Sequence, residues 1–175
     1  QADDPEDVPY YLCCLVQNET GYRNLTLLIS RAWQSNQHRG RAMIRREWLL
    51  ELNEGLILLS AARAGDVGRL LVSEKTAEAT ERAREYQQVF GDRFYLEVQR
   101  TERPGDEQCL HATVALAAEL GIPVVATNDV RFIDRDDFEA HEARVCIHDG
   151  NTLDDPRRTR KYSEQQYLKT ADEMA

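Results

Sequence analysis

The stretch Pro123-Val124-Val125-Ala126-Thr127-Asn128-Asp129-Val130-Arg131 decides the fold class. It begins with a continuous apolar run, not an alternation of apolar and polar residues. That is the pattern of a strand buried on both faces, as in a parallel sheet covered by helices. Gly121 and Pro123 stop whatever helix precedes it. The polar residues behind it mark the end of the strand.

Working back from this strand, Asp106 opens a helix with Leu110, Val114 and Ala117 on its buried side. Phe94–Gln99 reads as another strand. Before it, Ser73 can cap a long helix in which Ala79, Ala83, Tyr86 and Phe90 share a face, closed by Gly91. Asp66 can cap a short helix through Leu71. Gly55–Ser60, with Leu-Ile-Leu-Leu inside, is a third buried strand, and Arg45–Leu52 a short helix. Asn36–Arg41 is polar, contains Gly40 and reads as a loop. Leu25, Leu28, Ile29, Ala32 and Trp33 form one face of an amphipathic helix, capped near Asn18 or Thr20. Tyr10–Val16 is the first buried strand. On the far side, a helix is expected over Phe138–Ile147. Ser163 with Gln166 makes a capping box for a last short helix. Strands that alternate with helices predict an α/β protein with a mostly parallel sheet.

The 175 residues suit one domain with a sizeable core. No apolar run approaches the roughly 18 residues of a membrane helix. Gln1 to Pro9 is acidic, lacks the basic start of a secretory signal and does not begin with Met. The expectation is a piece of a longer cytoplasmic protein, with residues 1–9 extended or disordered. The net charge of −9 argues against an autonomous DNA binder, because phosphate neutralisation needs a basic surface. Cys13, Cys14, Cys109 and Cys146 form no CxxC pair and read as free thiols.

In parallel α/β folds, sites collect at the carboxyl ends of the strands. Those ends are Ser60–Arg63, Glu97–Arg100 and Thr127–Arg131. Asp129 is followed two positions later by Arg131. Asp-x-His there would suit a zinc or manganese ion, but a guanidinium has no lone pair to give a metal. Asp129 therefore forms an ion pair with Arg131 or caps the turn. His38, His111, His141 and His148 supply no replacement cluster. The last two lie about 10 Å apart along one helix, too far for one ion. Gly65-Asp66-Val67-Gly68 lacks the Lys-Ser or Lys-Thr of a phosphate loop. Arg157, Arg158, Arg160 and Lys161 read as a solvated basic loop that could touch phosphate, within a polar stretch, Asp154–Lys161, leading out of the domain.

Collinear motifs add a resemblance. Asn18-Glu19-Thr20-Gly21-Tyr22-Arg23-Asn24-Leu25, Leu52-Asn53-Glu54-Gly55-Leu56-Ile57, Phe94-Tyr95-Leu96-Glu97, Pro123 to Val130, and His141-Glu142-Ala143-Arg144-Val145-Cys146-Ile147 resemble the PHP (polymerase and histidinol phosphatase) domains of bacterial DNA polymerase III alpha subunits. The resemblance runs from about Tyr10 to Tyr167. It implies a partial, distorted (β/α)7 barrel lacking the first strands, with the PHP domain at 10–150 and a segment at 151–175 leading toward the polymerase palm. It also implies a metal cluster at the strand ends in active members. Arg131 and Tyr11 then stand where those members carry histidines, and Thr101 where another is aligned. Asp129 and Glu97 would be surviving ligands. The resemblance implies an inactive structural module within a replicative DNA-directed DNA polymerase, docking a proofreading exonuclease subunit. On that view the segment has no cofactor, and Mg serves the parent polymerase. The alternative is a metal-dependent phosphoesterase or 3′-5′ exonuclease that retains activity.

Overall fold

A computed structural model describes residues 9–38 and 40–174. The expectation for residues 1–9 therefore lies almost wholly outside the described residues. In chain order the elements are β1 (Cys13–Val16), α1 (Glu19–Ser35), β2 (Gln37–His38), β3 (Arg41–Ala42), α2 (Arg46–Glu51), β4 (Leu56–Leu59), α3 (Asp66–Val72), α4 (Thr76–Phe90), β5 (Phe94–Gln99), α5 (Asp106–Leu120), β6 (Val124–Thr127), α6 (Phe138–Asp149) and α7 (Ala171–Met174). Among the described residues no helix is long and apolar enough to cross a membrane.

The main sheet has the order β1-β4-β5-β6. β4, β5 and β6 run parallel, with Leu58 opposite Phe94 and Gln99 opposite Thr127. β1 is antiparallel to β4, pairing Cys13 with Leu59 and Val16 with Leu56. The fold is therefore mixed α/β with mostly parallel strands, consistent with part of a PHP-type barrel. The core lies around β4 and β5, where Leu56, Leu58, Phe94 and Leu96 are inaccessible to solvent. Tyr86 and Phe90 of α4 pack into the same cluster, with Tyr86 and Phe94 ring centroids 5.5 Å apart.

α1 is seated by its own motif. Asn18 accepts from the N–H of Gly21 at 3.0 Å, which satisfies one of the free N–H groups of the first turn. Gly21 then lies against the turn before β4. A Cβ there would sit 1.9 Å from the Gly55 carbonyl oxygen, and Gly55 itself has φ +70°. Asn24 donates to the Glu54 carbonyl at 2.9 Å. The two motifs quoted for the resemblance thus meet as a backbone-to-backbone contact that admits no side chain.

Several expectations are corrected. β1 is not a buried strand over Tyr10–Val16. It covers Cys13–Val16, and Leu15 and Val16 are exposed, because among the described residues it is an edge strand with one neighbour. β6 alternates exposed and half-buried positions for the same reason. Asn36–Arg41 is no plain loop, since β2 and β3 pair there as a short ribbon. Ser73 closes α3 and does not open α4, because the chain takes φ +60° at Glu74 before Thr76. Gly65 is the cap position of α3, and the Asp66 carboxylate is buried against Tyr86 and Arg82 at 2.7 and 3.0 Å.

The α5 face is Cys109, Thr113, Leu116 and Ala117, which leaves Val114 exposed. Ile29 and Trp33 of α1 are exposed too, although Leu28 and Ala32 are buried as expected. Ser163 and Gln166 do bond, Ser163 N–H donating to the Gln166 amide oxygen at 3.0 Å, but they close a turn and no helix follows. Gln166 is wholly buried; its N–H donates to the Ser163 carbonyl within the turn and its carbonyl accepts from the Arg131 N–H.

Candidate functional site

The carboxyl ends of β5 and β6 bring the predicted residues together. Glu97 and Gln99 are two apart on β5 and so share a face, opposite Thr127 at the end of β6. Glu97 is 6% exposed. One carboxylate oxygen accepts from the Gln99 amide at 3.0 Å and from the Thr127 hydroxyl. The other accepts from the Ala61 N–H at 3.0 Å. That last bond holds a strained turn, since Ala61 and Ala62 have φ +57° and +43°. Glu97 thus ties the end of β4 to the ends of β5 and β6.

Asp129 follows β6 at φ +43°. Arg131 donates to its Oδ1 at 2.7 Å, the pair expected from sequence. Its Oδ2 accepts from Arg103 at 3.0 Å and from the Gln166 amide at 2.8 Å. Gln166 comes from the chain after α6, and its carbonyl accepts from the Arg131 N–H at 2.7 Å. The Asn128 amide donates to the carbonyls of Gln165 and Tyr167 at 2.7 and 2.8 Å. Ser163 donates to the Thr101 carbonyl. The segment 163–167 is therefore laced across the strand ends.

Arg103 joins the two carboxylate groups. Its Nε donates to Thr101 Oγ1 at 2.8 Å and one Nη reaches Gln99 Oε1 at 3.4 Å, while the other holds Asp129. Thr101, fully buried, donates a hydrogen bond from its hydroxyl to Asp106. Asp106 also accepts from Arg63 at 3.0 Å. Burial pushes the Asp106 carboxyl up, but the hydrogen bonds from Thr101 and Arg63 and the charge of Arg103 outweigh it. The carboxyl ends below its ordinary range. Two carboxylates, Asp106 and Asp129, thus face three guanidiniums, Arg63, Arg103 and Arg131, while Glu97 is held by neutral donors.

Tyr11 does not join this network. It lies before β1, half exposed, with its N–H on the Ala64 carbonyl at 3.0 Å. The β1 residue within electrostatic reach of Glu97 is Cys13, whose thiol is pushed up by burial and then by that charge. His38, His111 and His148 are exposed. His141 is buried beside Phe132 and Tyr162, ring centroids 5.4 and 4.8 Å away, where burial and then Arg144 pull it below its ordinary value. The basic stretch is not a solvated loop throughout. Arg158, half-buried, holds Glu142 at 2.6 Å and Lys161 holds Asp149, which fixes these two side chains on α6, while Arg157 holds Asp155 within the segment itself.

Sequence reasoning missed Arg103, Asp106, Gln99 and Gln166. Arg103 is 26 residues from Asp129, and Gln166 is 37, so no local spacing connects them. The donor set does not fit a metal cluster. Both oxygens of Asp129 are occupied by N–H donors, and a guanidinium offers an ion no lone pair. Among the described residues no three His, Cys, Asp or Glu side chains gather as a metal-holding group.

Comparison with known proteins identifies the family. The profile of the PHP domain matches residues 2–101. DNA polymerase III subunit alpha of Pseudomonas fluorescens is 58% identical over 172 residues, 98% of this chain and 15% of that protein. The subunit of the same name from Pseudomonas aeruginosa is 56% identical over 175 residues, 99% of this chain and 15% of its own. That of Escherichia coli K12 is 55% identical over 174 residues, again 99% and 15%. The chain spans about 15% of the length of these curated relatives.

Proposed function

This chain belongs to the PHP domain family, and we propose that it is the PHP segment of a DNA polymerase III alpha subunit, kept as a structural module without phosphoesterase activity. The observation that carries this is the Asp129 carboxylate, saturated by Arg131, Arg103 and Gln166. Where a cluster of divalent cations would supply positive charge, fixed guanidiniums supply it. Loss of imidazole ligands removes both affinity and geometry for a metal. The network holds β4, β5, β6 and the chain after α6 in one arrangement.

In this reading the parent protein is a cytoplasmic DNA-directed DNA polymerase, with Mg serving its polymerase centre elsewhere. The segment gives a proofreading exonuclease subunit a place to dock. The exposed apolar side chains Val130, Ile133 and Leu168 are a surface on which docking can be tested. The second reading, a metal-dependent phosphoesterase or 3′-5′ exonuclease, rests on the survival of Glu97 and Asp129.

Elemental analysis of the whole polymerase, purified with Zn and Mn present and Mg in excess to hold the polymerase centre, separates the two. The structural module leaves both metals at background, and Asp129→Ala leaves phosphodiester hydrolysis unchanged. Two or three stoichiometric metals, with hydrolysis abolished by Asp129→Ala, overturn it. Co-purification of the exonuclease subunit with the wild type, lost on Ile133→Glu/Leu168→Glu, supports docking at that surface, and unchanged co-purification rejects it.

A further inference from the structure

Charge is segregated along this chain. From Thr20 to Arg46 there is no Asp or Glu, and there are six arginines, in a chain of net charge −9. Three of these arginines are matched by carboxylates from outside the stretch, Arg23 by Glu19, Arg31 by Glu51 and Arg46 by Glu85. The β2–β3 ribbon is different. Its register sets His38 directly opposite Arg41. Opposed side chains of an antiparallel pair share a face about 5 Å apart. Both are exposed, and neither side chain has a hydrogen bond or ion pair among the described residues. Arg45, just beyond, is exposed and stacks on the Trp48 ring at 5.4 Å, with no carboxylate partner among the described residues.

The ribbon is held firmly at its base. Asn36 donates its N–H to the Ala32 carbonyl at 2.9 Å and its amide to the Met43 carbonyl at 2.7 Å. Its own carbonyl accepts from the Met43 N–H at 3.0 Å. Trp33, in the last turn of α1 before the ribbon, leaves about half its surface in solvent.

We propose that the β2–β3 ribbon is a contact for single-stranded nucleic acid. His38, Arg41 and Arg45 take the phosphates and Trp33 stacks a base. A phosphate set between them can accept from the Arg41 guanidinium and from a His38 ring N–H. Guanidiniums bind phosphate through paired N–H donors, and an exposed aromatic ring offers any base a stacking surface. An acidic protein partner fits less well. Protein interfaces centre on several apolar and aromatic anchors buried together, and Gln37, His38, Arg41 and Ala42 add none to the Trp33 ring. The acidic remainder of the domain confines such a contact to this edge. The inference rests on the polymerase reading, because that is what brings nucleic acid to the chain.

The test compares the whole polymerase with its Arg41→Gln/Arg45→Gln variant, by anisotropy of fluorescein-labelled oligo-dT across a salt series. Each phosphate contact to a single strand contributes about 0.7 to the slope of log K against log salt, so the double variant should be shallower by about 1.4. Its affinity at ~0.1 M salt should fall on the order of 25-fold, because curves that converge near ~1 M salt lie about 1.4 decades apart there. Trp33→Leu should weaken binding with the slope unchanged, and an unchanged affinity there overturns the stacking role. Identical curves for wild type and the double variant overturn the phosphate contact. So does a variant that loses binding to polyglutamate while keeping its oligo-dT curve, which assigns the ribbon to an acidic protein. Primer extension by the same preparations tests the polymerase reading separately. Absence of extension by the wild type rejects that reading whatever the slopes show.

Discussion

Arg103→Met removes the guanidinium that bridges Thr101, Gln99 and Asp129. Removing one partner of a buried ion pair costs about 3–5 kcal/mol, because the other charge is left without compensation. Here the two side chains keep 15% and 22% of their exposure, and Asp129 retains Arg131 and Gln166. Methionine also preserves some of the packing of the arginine stem. The expected loss is therefore smaller, about 2–3 kcal/mol. With a urea slope of about 2 kcal/mol per M, the unfolding midpoint of this chain should drop by about 1–1.5 M. A double-mutant cycle with Asp129→Asn isolates the contact. The coupling should exceed about 1 kcal/mol, and single losses that add to within about 0.5 kcal/mol refute the bridging role.

Gly55→Ala should be far more costly than Gly40→Ala. Both glycines have positive φ, at +70° and +76°, so each substitution carries about 1–2 kcal/mol of left-handed strain. A Cβ at Gly55 also meets Asn18 Oδ1 at 2.3 Å and Gly21 N at 2.4 Å, whereas Gly40 has nothing within 4 Å. A thermal melt in which the two variants coincide excludes the close approach. Asp106, held below its ordinary pKa when folded, contributes stability above about pH 4, and that contribution is lost as pH falls through its folded value. Asp106→Asn should be less stable at neutral pH and should flatten the acid limb of a stability–pH profile below about pH 4; an unchanged limb rules this out. Cys13 should be the first thiol alkylated in the native chain, yet react more slowly than a free cysteine, because burial and Glu97 raise its pKa. Cys14, pushed up to about 11, and buried Cys109 and Cys146 should label only on unfolding. Mass mapping that finds Cys109 or Cys146 modified first contradicts the packing.

The long, strongly patterned elements were legible. β5 and the buried face of α4 follow directly from Phe94–Gln99 and from Ala79, Ala83, Tyr86 and Phe90. Edges were not, because an apolar run such as Tyr10–Val16 has the same composition whether both its faces are covered or one is left to solvent. Turn residues misled at Ser73 and Asp66, since both types serve at either end of a helix or in a buried pair. The ribbon was missed because two-residue strands carry no periodicity.

Of the site, the sequence by itself determined the local facts. A carboxylate follows β6, and an arginine, which has no lone pair for a metal, stands two positions later. These depend on residue type and short spacing. Only the tertiary structure decided what surrounds that carboxylate. Arg103 arrives from the end of β5 and Gln166 from beyond α6, and together they fill Asp129 Oδ2. Hydrogen-bond saturation depends on which donors the folded chain brings within about 3 Å. Distance along the sequence does not encode that, so Asp129, expected to pair with Arg131 or cap the turn, proves to sit in a closed network.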